Sequence, residues 1–386
     1  MNTNTIARSK TGTAGTALSL RQIFWSPLAN GMRRLARWRK RGQLGKRFTS
    51  YRDSIRFEPL EPRLLLSADL MHTTAAGVAL DATLKLASVS GTQEIQLVDN
   101  GSGTILDQAA LTAGQTNFSV DVQGADQNDA LTIDFGNASP GYTFNVQFDG
   151  GAGDNTLLVA SGDYGQATYG ASGPQAGSVQ LDANSIDYSS VDTVIDLSAA
   201  TDRTLANDTG AAQQMRLADD GQVNGLSVFD SNNSGGFAQV LFEAPADTIT
   251  MQAGNAGDTL VLGQLEPGIT ASVSLLGGTG SDTLVGPGSS TTWSVDGADS
   301  GTLTDQATGT TLAQFSGIEN LTGAANTENS FIVGAGGSLG GTIDGGAGGF
   351  NELLLGSAGG EALVVPDASG SATYGGRTFS YSNIDP

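Results

Sequence analysis

Apolar segments recur at a fixed interval in the first half of the chain, and that interval restricts the fold more than any other feature. "FSVDV" begins at Phe118, "LTIDF" at Leu131, "FNVQF" at Phe144 and "LLVAS" at Leu157, a constant step of 13 in the numbering. The first three alternate apolar and polar residues, the pattern of a strand with one buried face. "QGADQNDA", "GNASPGYT" and "DGGAGDNT" stand between them. Gly accepts positive φ, and Asp and Asn bond their own backbone, so these segments read as turns. A second series, Leu321, Ile332, Ile343 and Leu354, keeps a constant step of 11. Evenly spaced short strands are the mark of a stacked array, and two such segments make a coil of about 22 to 26 residues. The expected fold is all-β: an elongated β-solenoid or parallel β-helix-like repeat array.

Composition suits that reading. The chain has 386 residues, 55 of them Gly, and only 6% are aromatic. Such a chain builds a thin core of Leu, Val and Ile, in which neighbouring coils supply the stability that one coil lacks. There is no cysteine, which excludes disulfides, zinc thiolates and a Cys nucleophile.

Charge divides the chain. Through Arg63 there are 14 Lys and Arg against 3 Asp and Glu, a balance of +11. The remainder holds 4 basic residues (Lys85, Arg203, Arg216 and Arg377) against 36 acids, a balance of −32. An acidic body repels nucleic acid and attracts cations, so no nucleic-acid partner is expected. No segment has the roughly 18 apolar residues of a membrane-spanning helix. Residues 1–56 read as a basic leader, disordered or partly helical. In it Leu28, Met32, Leu35 and Trp38 fall at helical spacing among arginines. Residues 57–70 form a joint, 71–163 a first β-repeat region and 164–386 a second.

A longer repeat overlies these. "GSVQLDANSIDYSSVD" (177–192) aligns without gaps to "GSATYGGRTFSYSNID" (370–385), and "FDGGAG" (148–153) to "IDGGAG" (343–348). The chain is therefore expected to end inside a new unit of about 195 residues and to be a piece of a longer repetitive protein.

Four Gly-rich turns precede apolar strands: "GGAGDNTLLV" (150–159), "AGNAGDTLVL" (253–262), "GGTGSDTLVG" (277–286) and "GGAGGFNELLL" (345–355). Stacked turns of this kind converge carbonyl and carboxylate oxygens, which makes Asp282, Asp258 and Asp154 candidate calcium ligands. The alternative is structural: Gly supplies positive φ and Asp bonds the backbone nearby. Asp258 and Asp282 stand farther apart than one or two tandem nonapeptides would place them. No catalytic residue is assigned. The only histidine, His72, is isolated near the leader, and four scattered basic residues suit a polysaccharide lyase poorly. Trp293 is either a sugar platform or, more in keeping with a strand, core.

"FEPLEPRLLLSADL" (57–70) resembles the LEPR-XLL motif in Leu60, Glu61, Pro62 and Arg63 followed by Leu64, Leu65 and Leu66. The motif belongs to very large repetitive bacterial proteins that reach the cell surface or exterior. The Gly/Asp turns are similar to hemolysin-type, repeats-in-toxin sequences, without their tandem nonapeptides. The resemblance implies a surface or secreted location, export machinery that reads the N-terminal region, and a non-enzymatic structural or adhesin-type role. Cell-surface or polysaccharide contacts are its implied partners. The alternative is a β-helix that binds or cleaves carbohydrate.

Overall fold

The computed structural model describes residues 69–385 apart from 137–140, 232–235, 357–361 and 366. The basic leader and Leu60–Leu66 lie outside the described residues. Within them the chain is all-β and contains no helix: thirty strands form two sheets of fifteen.

The chain alternates between the sheets, and successive visits to one sheet pair in parallel. Asn117–Gln123 lies beside Thr143–Asp149, with Phe118 opposite Phe144 and Val120 opposite Val146. Ala130–Asp134 and Thr156–Val159 do the same in the other sheet, with Leu131 opposite Leu157. One coil is therefore 26 residues here, the separation of Asp129 from Asn155. It is 24 where Ile249 meets Val273 and Leu260 meets Leu284, and 22 where Leu321 meets Ile343 and Phe331 meets Leu353. The expected solenoid is present, with a coil that shortens along the chain.

The in-register apolar residues fill the space between the sheets as one continuous cluster. Trp293 belongs to it: fully buried, it stacks on Phe331 at 5.3 Å and donates its indole N–H to Thr291 Oγ1 at 2.9 Å. His72 lies half-buried on Leu70–Thr73, which pairs in parallel with Asn117–Gln123. The segment 57–70 thus ends inside this first strand, where Leu70 is buried opposite Val120.

Antiparallel insertions widen single coils. Asp163–Gly173, Ala176–Leu181 and Asn184–Ser189 form a three-stranded meander in one sheet. Gln214–Asp219, Leu226–Ser231 and Gln239–Glu243 form one in the other, so neither sheet outgrows its partner. The border between repeat regions drawn at 163/164 falls inside Asp163–Gly173, and both sheets continue across it. The even spacing of the first series stops there because the chain spends extra residues on the meander.

Candidate functional site

A set of Gly-containing turns places a final Asp or Asn at the start of a strand with its side chain buried against the neighbouring coil. Among the described residues six turns do this, ending at Asp129, Asn155, Asp258, Asp282, Asn329 and Asn351, each at most 2% exposed. Close stacking of turns explains the glycines. Gly278 has φ +81°, and a Cβ there would come within 2.3 Å of the Gly254 carbonyl one coil away.

The buried side chains form a ladder from coil to coil. The N–H of Leu80 donates to Asp129 Oδ1 at 2.5 Å, that of Asp129 to Asn155 Oδ1 at 2.8 Å, and that of Asn155 to Asp192 Oδ2 at 2.8 Å. A second run repeats the pattern: Gln213 N–H to Asp258 Oδ1 at 2.6 Å, Asp258 N–H to Asp282 Oδ1 at 2.7 Å, and Asp282 N–H to Glu319 Oε2 at 2.8 Å. In the last coils the Asn329 amide donates to Asn351 Oδ1 at 2.9 Å, and Asn351 N–H donates to Asp385 Oδ2 at 2.7 Å. Each such bond to an ionised group contributes about 1.5–3 kcal/mol, and removing one partner strands a buried donor.

Asp192, Glu319 and Asp385 close the three runs from one shared motif. Tyr188-Ser189-Ser190-Val191-Asp192, Phe315-Ser316-Gly317-Ile318-Glu319 and Tyr381-Ser382-Asn383-Ile384-Asp385 each begin with the last two residues of a strand and run past its end. Ser190, Gly317 and Asn383 all take positive φ, near +54°, +65° and +54°. That kink drops Val191, Ile318 and Ile384 into the core and aims the following acid at the ladder.

A second polar system lies within the core. Arg203 and Asp196 are both fully buried and ion-paired at 2.7 Å. Tyr169 donates to Asp196 Oδ2 at 2.5 Å and accepts a bond from Arg203, whose guanidinium also reaches the Ser198 carbonyl at 2.5 Å. The stacked Tyr169 and Phe242 rings both lie near that guanidinium, their centroids 5.9 and 5.6 Å from it. Burial, then the neighbouring Asp196 carboxylate, hold the Tyr169 phenol well above its usual range. The other arginines of the body are also paired, Arg216 with Asp230 and Arg377 with Asp299.

The sequence-derived metal candidates separate. Asp258 and Asp282 are stacked one coil apart, with oxygens bonded to backbone N–H groups. Asp154 lies exposed in a different run, and the residue matching Asp282 in its turn is Asn155. Among the described residues no group of three or more His, Asp or Glu side chains is placed to hold a metal ion. Sequence reading missed Asp129, Asn155, Asn329, Asn351 and the closing acids. The usable signal was the final residue of each Gly-opened turn, Asp or Asn alike.

On the outer face of the first sheet, rows of polar residues align across three strands. Asp121, Gln147 and Asp187 form one row, and Gln123, Asp149 and Ser189 the next. Together they line a shallow depression of about 320 Å³. No described helix is long and apolar enough to cross a membrane. No family model, curated protein or solved structure matches the chain.

Proposed function

We propose that the protein is a non-enzymatic structural repeat protein of the bacterial cell surface or exterior, a spacer or contact surface of adhesin type. The observation that supports this most is the ladder. Within each of three runs the buried polar side chains of the turns are bonded from one coil to the next, which suits a stack that transmits length and presents its outer faces. The resemblance of Leu60–Leu66 to a sorting motif supports export, with export machinery as the partner of the N-terminal region. Cell fractionation of the full chain tests this reading. Replacing Leu64, Leu65 and Leu66 by Ser is expected to stop surface delivery and leave the melting temperature unchanged. Normal delivery with a lowered melting temperature would instead make these leucines a cap on the stack.

The polar rows around Gln147 favour a second reading, in which the same surface binds carbohydrate through hydroxyl-to-amide and hydroxyl-to-carboxylate bonds. A glycan panel probed with the full chain separates the two. Binding lost in Gln147→Ala supports the second reading, and glycosidic cleavage that survives stringent purification would overturn the non-enzymatic one.

A further inference from the structure

The turn ending at Asp282 has the backbone of the turn ending at Asn155. "GGTGSD" and "GGAGDN" align residue for residue, and Gly278 and Gly280 take φ +81° and +141° where Gly151 and Gly153 take +74° and +114°. In the earlier turn Asn155 Oδ1 accepts the Asp129 N–H at 2.8 Å, and Nδ2 donates to the Ser190 carbonyl at 2.8 Å. Asp282 Oδ1 likewise accepts the Asp258 N–H at 2.7 Å. Gly317 is the counterpart of Ser190, at the same kink before the closing acid. A Cβ on Gly277 would lie 1.8 Å from the Gly317 carbonyl oxygen and 3.0 Å from Asp282 Oδ2, so both oxygens border the same small space. Asp282 is fully buried, and Oδ2 has no hydrogen-bond donor.

The other ladder aspartates solve this differently. The amide four residues upstream, of Ala125 or Gly254, donates to the second oxygen of Asp129 or Asp258 at 2.8 Å. Four residues before Asp282 stands Gly278, whose positive φ gives the turn the Asn155 form instead. An acid therefore occupies an amide's environment.

We propose that Asp282 is a proton-binding site that makes its coil acid-stabilised: as the neutral acid its Oδ2–H donates to the Gly317 carbonyl, as the Asn155 amide does to Ser190. Ionisation leaves a buried carboxylate oxygen beside a carbonyl with no donor. The charged groups facing it are Glu319 from the following coil and Asp258 from the preceding one, both acids. Burial chiefly, with those two acids, pushes its pKa up to about 6 against the lowering effect of the Asp258 N–H. The folded value lies above the unfolded value of 3.8, so the stabilisation is fully present below pH 3.8 and is lost as pH rises through about 6.

The test is urea unfolding of the full chain between pH 4 and pH 7 for wild type, Asp282→Asn and Asp258→Asn. The ratio of wild-type to Asp282→Asn folding constants is expected to fall about sixtyfold across this range, while Asp258→Asn, which removes only the smallest of the contributions that raise the Asp282 pKa, keeps most of the wild-type slope. Parallel profiles for wild type and Asp282→Asn would overturn the proposal, and so would a wild-type slope abolished by millimolar calcium, which would give the oxygen to a cation. Should Asp282→Asn not fold, infrared spectroscopy of wild type labelled at aspartate decides. A protonated-carboxyl band that titrates near pH 6 supports the site, and no such band above pH 5 rejects it.

Discussion

The two buried polar systems of this protein solve the same problem in opposite ways. In the turn ladder most links run from a backbone N–H to an Asp, Asn or Glu side chain of the adjacent coil, with Asn329 to Asn351 joined side chain to side chain, and the arrangement recurs from Asp129 to Asp385. In the core cluster, Arg203, Asp196 and Tyr169 bond one another inside a single region, with the Ser198 carbonyl taking a further guanidinium N–H and Arg203 Nε left without a partner. A ladder link can be copied into any coil, because backbone N–H groups are always there. The cluster cannot be copied, because it needs three particular side chains that the fold brings together. The ladder is therefore the device that suits a repetitive protein, and the cluster is a local exception within it.

The largest expected effect separates the two. Arg203→Met leaves Asp196 buried without its cation and should cost about 3–5 kcal/mol in urea unfolding. The double variant Arg203→Met/Asp196→Leu should recover most of that, because no lone charge remains. If the single variant costs under about 1 kcal/mol, the cluster contributes nothing distinct from the ladder. Next in size is Asp258→Ala, which strands the amides of Gln213 and Gly254 and the side chain of Asn207. A loss of about 2–3 kcal/mol is expected.

These two systems were unequally legible in the sequence. The spacing at Phe118, Leu131, Phe144 and Leu157 revealed the coil because all four residues face the core. The later series from Leu321 to Leu354 gave the right coil but mixed its faces. Leu321 and Ile343 point inward, whereas Ile332 and Leu354 are half-buried between inward Phe331, Val333, Leu353 and Leu355. Spacing alone carries no strand parity. Two of the six turn-end residues of the ladder, Asp258 and Asp282, showed themselves, because a Gly-Asp turn is a familiar signal. Asn155 escaped because its role needs a side-chain oxygen rather than a charge, and exposed Asp154 beside it drew the reading away. Arg203 gave no signal at all. An isolated arginine in sequence reads as solvated, and only the fold sets it beside Tyr169 and Asp196, 34 and 7 residues away.

Smaller substitutions sharpen the comparison within one turn. Gly278→Ala forces a side chain into positive φ and against the Gly254 carbonyl at 2.3 Å. It should lower stability by about 1–3 kcal/mol. Asp154→Asn changes an exposed side chain next to a ladder residue and should stay within about 0.5 kcal/mol. A larger loss on replacing Asp154 would mean that charge in the turns, and not the buried hydrogen bonds, holds the coils together.

The most direct measurement of the ladder is residue-resolved amide hydrogen exchange on the full chain. The N–H groups of Asp129, Asn155, Asp258, Asp282 and Asn351 all sit at turn ends, yet each donates to a side chain of the next coil. They should exchange as slowly as the central amides of the strands they precede. Exchange at the rate of the exposed turn amides around Asp154 would contradict a stack held coil to coil by this ladder.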